Sequence, residues 1–148
     1  SITSIENGAF YDCKSLSSVV IPESVTSIGN HAFGDCCSLT DIVLSDRITT
    51  INEGAFTACS SLSNLVVPES VTSIGAWAFM GCSSLSRLVI PESVTSIGFY
   101  AFAFCKSLTN IVIPDSVTSI GVCAFSCCNI PTDLKQELIS RFGDKIFG

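Results

Sequence analysis

Apolar residues recur in this chain on two scales. On the short scale they alternate: Val19 and Ile21 flank Val20 and the run stops at Pro22, and the same β-branched run returns to end at Leu44, Val67, Ile90 and Ile113. A period of two, closed by a residue that cannot donate to a ladder, predicts a strand of about four residues. Val25 and Ile28 then bracket polar Thr26 and Ser27 before Gly29, which predicts a second short extended piece over 25–28. The stretch from Asn30 to Cys36 is too short for a free-standing helix, but its apolar Ala32, Phe33 and Cys36 fit one helical or 3₁₀ turn facing inward.

On the long scale the pattern repeats. Phe10, Phe33, Phe56, Phe79, Phe102 and Phe125 lie 23 residues apart, each preceded by alanine. Three residues after each comes Cys13, Cys36, Cys59, Cys82, Cys105 or Cys128, and three later Leu16, Leu39, Leu62, Leu85 and Leu108, with Pro131 breaking the column. The units are 1–23, 24–46, 47–69, 70–92, 93–115 and a sixth that begins at Ser116 and loses the pattern after Cys128. A unit this short cannot bury its own apolar side, whereas copies stacked about 4.8 Å apart share one core. The expected fold is therefore an α/β solenoid: six 23-residue coils, each with a strand in a parallel sheet, a short second strand and a helical or 3₁₀ turn.

The motif L-x-x-[VIL]-x-[IVL]-P followed by V-x-x-I-G-x-x-A-F-x-x-C resembles the BspA-like, or treponemal-type, leucine-rich repeat over about residues 1–128. The resemblance implies a right-handed curved solenoid with its parallel sheet on the concave side. It also implies a place among surface proteins of bacteria and some protists that adhere to host or matrix proteins. Departures from the motif are Asn52 for glycine, Ser45 for proline and Arg47 for the serine that opens a unit.

After Ile130 the period changes. Leu134, Leu138 and Phe142 recur at four, Thr132 or Asp133 is placed to cap, and Gly143 suits the far end, which predicts an amphipathic helix covering the last coil. The domain organisation expected is a solenoid over 1–130 and a capping helix and tail over 131–148. No such cap precedes Ser1, and the first residues lack an initiator Met and a signal-peptide pattern, so the natural protein is expected to continue N-terminally.

Composition narrows the function. With 47% hydrophobic and 14% charged residues the chain can bury a core, so disorder is excluded. A net charge of −6 argues against a nucleic-acid partner. Mean hydropathy is +0.57, yet runs such as Ile111–Ile113 fall far short of a span, so this segment is not expected to insert in a membrane.

Residues one unit apart stack, so candidate chemistry is read by column. Six of the nine cysteines form one column, expected as small buried groups with a weak thiol donor; metal or redox chemistry is the sharper alternative. Cys37 lies outside that column, as do Cys123 and Cys127, and the Cys123, Cys127, Cys128 cluster lacks paired metal-ligand spacing. No metal or cofactor is expected. His31 is the sole histidine, in a variable slot, without an orienting third group, so the chain is not read as an enzyme. Glu23, Asp46, Glu69, Glu92 and Asp115 form an acidic column, read as a solvated turn, with a basic partner as the alternative.

Two sets of residues stand out as binding candidates. Alternation turns Val20, Val43, Val66, Val89 and Val112 outward from the sheet, beside variable Ser18, Asp41, Asn64, Arg87 and Asn110. Plain β-propensity in a repeated sequence is the competing reading of the valines. Separately, Trp77, Met80, Phe99, Tyr100 and Phe104 gather in variable slots of two neighbouring units, as interface cores do, although packing over the turns would also place them there. The function expected is a protein-binding scaffold, extracellular or on a cell surface, that adheres non-covalently to a host or matrix protein. A self-associating structural module is the alternative. A third reading takes Thr3, Thr26, Thr49, Thr72, Thr95 and Thr118 with the serines two before them as an ice-binding ladder, which Arg47 interrupts.

Overall fold

The computed structural model describes all of residues 1–148. Two kinds of strand alternate along the chain. Those of the wide sheet face are β2 (Ser18–Val20), β4 (Asp41–Val43), β6 (Asn64–Leu65), β8 (Arg87–Val89) and β10 (Asn110–Val112). Between them run β1 (Ser4–Ile5), β3 (Ser27–Ile28), β5 (Thr50–Ile51), β7 (Ser73–Ile74), β9 (Ser96–Ile97) and β11 (Ser119–Ile120). All pairing is parallel and steps by one coil, as in Val19 opposite Ile42 and Ile74 opposite Ile97.

The core fills the space between these ladders, with Phe33, Phe56, Phe79, Phe102 and Phe125 fully buried and the alanine before each buried too. The phenyl rings stack with centroids 5.2, 5.6, 5.5, 5.4 and 5.5 Å apart from Phe10 to Phe125. Paired strands advance only about 4.8 Å per step. Each coil is thus longer on the phenylalanine side than on the sheet side, and the sheet lies on the inside of the curve.

The segment expected as a helical or 3₁₀ turn is neither. It is two successive reverse turns, each with a left-handed residue and bridged by a third turn, Gly34 amide to His31 carbonyl, that has none: His31 (φ 56°) then Asp35 (φ 57°), and likewise Trp77, Tyr100 (φ 57°) and Cys123 at the first place and Ala58, Gly81 and Phe104 at the second. The Ala32 amide donates to the Gly29 carbonyl and the Cys36 amide to that of Phe33, closing the turns. The kinked backbone turns its remaining amides along the solenoid axis. Those of His31, Phe33 and Asp35 donate to the carbonyls of Glu53, Ala55 and Thr57 in the next coil, at 2.8–2.9 Å. An α-helical turn would spend those donors within one coil, so the inter-coil ladder wins.

Departures from the motif mark local breaks. Where Gly29, Gly75, Gly98 and Gly121 stand, the glycine amide donates to the isoleucine carbonyl of the preceding coil at 2.7–2.9 Å. A Cβ at Gly75 would lie 2.9 Å from the Glu53 amide nitrogen, so only glycine permits this approach. Asn52 holds the same place in its coil and has no such backbone bond; its Nδ2 donates to the Ile28 carbonyl at 2.7 Å instead. The ladder of β5, β7, β9 and β11 is accordingly not paired to β3. Ser45, in the proline position, is fully buried and its Oγ accepts from the Arg47 amide at 3.1 Å.

The tail closes the far end. Helix α1 (Thr132–Phe142) starts after Pro131 with no side-chain cap, so neither Thr132 nor Asp133 caps it; proline at the boundary removes a donor that would otherwise need an acceptor. Leu138 is buried, with Leu134 and Phe142 packed beside it, and Gly143 ends the helix at φ 87° with its amide on Ile139. Arg141 donates Nη1 to Ile113 and Nη2 to Pro114, both at 2.9 Å, tying α1 to the fifth coil. A 3₁₀ turn, Asp144–Phe147, was not expected. Its Lys145 and Ile146 carbonyls accept from Cys123 and Phe125 at 2.8 Å, completing the turn ladder where no further coil supplies acceptors.

Candidate functional site

On the concave sheet the valine column stands outward. Val20, Val43, Val66, Val89 and Val112 are 50 to 80% exposed, while Ile42, Leu88 and Ile111, one residue before, are buried. Between the third and fourth coils the sheet is interrupted, because β6 and β8 are not paired. A shallow groove of about 650 Å³ opens there, floored by Val43, Leu65, Val66 and Val89, with Asp41, Asp46 and Arg87 on its walls. Asp41 is held by the Asn64 amide at 2.8 Å and the Thr40 hydroxyl at 3.1 Å. Arg87 forms no ion pair. Asn110 is exposed beside Val112.

The acidic column runs along one margin of this face. Glu23, Asp46, Glu69 and Glu92 are exposed without an ion pair, and Asp115 has one distant partner, Arg141 at 3.9 Å.

The second set divides. Trp77 and Phe99 meet edge to face at 4.8 Å, and Phe99 and Tyr100 at 6.2 Å, so these three form one cluster. Met80 is half-buried and Phe104 exposed in the second reverse turn, and neither joins the ring contacts of the first. Val122, exposed and one coil above Phe99, extends the cluster; the sequence offered that signal in the shared column and it was missed. A hydrogen bond with Cys123 raises the Tyr100 pKa. Tyr11 donates to Asp35 at 2.5 Å, and that bond raises its pKa.

The cysteine column is a hydrogen-bond ladder inside the core. From the second coil on, each thiol donates to the phenylalanine carbonyl of the preceding coil: Cys36 to Phe10, Cys59 to Phe33, Cys82 to Phe56, Cys105 to Phe79 and Cys128 to Phe102, at 3.0–3.2 Å. Burial pushes the Cys59 thiol up to about 12 and that of Cys128 to about 11, and raises those of Cys82 and Cys105 as well. Such thiols are poor nucleophiles. His31 sits away from them, its Nε2 3.9 Å from Glu53. No cluster of three or more His, Cys, Asp or Glu side chains is placed to hold a metal ion. No helix is long and apolar enough to cross a membrane. In the Ser–Thr columns, Thr26, Thr72, Thr95 and Thr118 donate to the threonine carbonyl one coil before, at 3.2–3.4 Å, and Ser24, Ser70 and Ser116 also donate to backbone.

A curved solenoid of 23-residue coils with a one-strand-per-coil parallel sheet defines a leucine-rich repeat protein, a class that serves generally as a protein-interaction scaffold. The chain belongs to the BspA type leucine rich repeat family, whose profile matches in six copies over residues 1–97 and 73–148. Among solved structures it is similar to a leucine-rich repeat protein from Bacteroides ovatus, at 37% identity and TM-score 0.83, covering 86% of this chain and 33% of that one. It is also similar to a leucine rich cell surface protein from Faecalibacterium prausnitzii, at 46% identity and TM-score 0.73, covering 74% and 29%. The leucine rich repeat protein of T. pallidum matches at 33% identity and TM-score 0.79, covering 94% and 76%. The chain thus spans about a third of the length of the first two. No curated protein matches the chain.

Proposed function

We propose that this chain is part of a cell-surface or secreted adhesion protein that holds a host or matrix protein non-covalently, through the concave sheet and the Trp77 cluster. The observation that carries this reading is the exposed valine column, five apolar side chains in line where a sheet face meets solvent, beside variable polar residues. The likeness to a protein described as a cell surface protein supports the location. The experiment is surface capture of extracellular-matrix proteins by the chain, compared with Val66→Lys/Val89→Lys and Trp77→Ala/Tyr100→Ala variants whose circular dichroism is unchanged. Loss of capture in both supports the reading; capture unaltered in both removes it.

A second reading, self-association, is favoured by the uniformity of the stripe, since identical valines on two copies are self-complementary. Light scattering after size exclusion separates the two: a concentration-independent monomer, identical in the Val66→Lys/Val89→Lys variant, counts against self-association.

A further inference from the structure

We propose that the occupant of the concave face is a single amphipathic α-helix of about four turns, basic along one flank, lying along the solenoid axis with its apolar stripe on the valine column. The proposal rests on the concave face being a docking surface and adds the chemistry of what docks.

Spatial period selects a helix. Successive valines are one coil apart, about 4.8 Å where their strands pair, and successive helical turns are about 5.4 Å apart. A helix centred on Val66 has two steps to Val20 and two to Val112, over which the mismatch reaches only about 1.2 Å, a quarter of a step, so a stripe at i, i+3 or i+4, and i+7 stays in register. An extended segment repeats its facing side chains every 6.6 Å or so and, centred in the same way, is off by about 3.6 Å after two steps, three-quarters of a step, so it loses register. Where β6 and β8 part, the groove over Leu65 and Val66 leaves room for the bulkiest apolar side chain of the stripe.

Charge selects a basic flank, and only one. Glu23, Asp46, Glu69 and Glu92 stand three residues beyond the valines, within about 10 Å of chain, unpaired and exposed. Lysine or arginine on a helix about 10–12 Å across reaches that margin. The opposite margin, Ser18, Asp41, Asn64, Arg87 and Asn110, balances one acid with one base, and its acid is already bonded. Turning the helix end for end would put its bases on this neutral margin, so docking has one polarity.

The test is fluorescence anisotropy with a labelled, end-capped Leu/Lys peptide of about 15 residues patterned at the helical period. Two controls accompany it: the same peptide with Glu for Lys, and the same composition patterned at a period of two. The helical Leu/Lys peptide should bind at least tenfold more tightly than either control, lose at least tenfold with Val66→Lys/Val89→Lys, and show a shallower salt dependence with Glu69→Gln/Glu92→Gln. Equal binding of the period-two peptide, equal binding of the Glu peptide, or indifference to the valine changes overturns the proposal. If no peptide binds while matrix-protein capture is lost in Val66→Lys/Val89→Lys, the helical occupant is wrong and the docking surface stands. If capture also survives, the docking surface itself is wrong.

Discussion

Replacing Gly98 by alanine and by asparagine should rank the two variants against side-chain size. A Cβ at Gly98 would lie 2.7 Å from the Gly75 carbonyl carbon and 2.8 Å from the Ala76 Cα, and closer still to the Ala76 nitrogen. These are backbone atoms and cannot swing aside, so the coils must part and break the Gly98 amide bond to the Ile74 carbonyl, now 2.8 Å. Overpacking costs about 1–3 kcal/mol. Unpairing the donor and acceptor adds about 1–3 kcal/mol. A total near 3 kcal/mol corresponds to about 10 °C in Tm, at roughly 2.1 cal/mol/K per residue, for 148 residues. Asparagine is larger, yet Asn52 spans the widened gap with its side-chain amide. Gly98→Asn should therefore recover about 1 kcal/mol relative to Gly98→Ala. Urea unfolding followed by circular dichroism gives both values. An asparagine variant no more stable than the alanine variant, or an alanine variant within 1 kcal/mol or so of the parent, would refute the reasoning.

Two further outcomes follow from the turns and the thiols. Gly81 has φ 78°, and a Cβ there would meet nothing closer than the Ala58 Cα at 3.5 Å. Gly81→Ala should cost about 1–2 kcal/mol of conformational strain alone, read by the same denaturation; a change near zero would show that the left-handed turn is not enforced. Cys59, Cys82 and Cys105 have pKa values raised by burial. The folded chain therefore keeps protons that the unfolded chain releases above about pH 8.5. Their contribution is whole below that pH and is lost as pH rises toward the folded values, each thiol approaching about 1.4 kcal/mol per pH unit. Urea midpoints measured from about pH 7 to 10.5 should hold and then fall steeply. A flat profile above about pH 8.5 would count against fully buried thiols.

The coils were legible because a core column tolerates little change: phenylalanine, cysteine and leucine at fixed places announce the period directly. The reverse turns were not. Ala32, Phe33 and Cys36 have the spacing of a helical turn, and successive turns closed between residues three apart share it. Gly8, Gly54 and Gly81, with Asp12 and Asp35, did carry the left-handed signal, but Trp77, Tyr100 and Cys123 in the same columns masked it. Asn52 was visible as a departure, whereas its consequence depends on a neighbouring coil that no local pattern describes. Of the two surface sets, alternation alone placed the valines outward. The aromatic residues divided because their slots sit on two different turns, a distinction that appears only once those turns are known.

Every ladder in this molecule, whether of strands, turns, rings or thiols, joins a coil to the coil next to it at a fixed offset. Chain length is thereby quantised. At the level of the gene, an in-frame gain or loss of one whole repeat's worth of codons leaves each surviving coil with a counterpart above and below it. A gain or loss of a few codons inside a repeat shifts core residues out of all four ladders at once. Recombination between near-identical repeats is thus the genetic change this architecture absorbs most readily, and it would lengthen or shorten the valine stripe in steps of one.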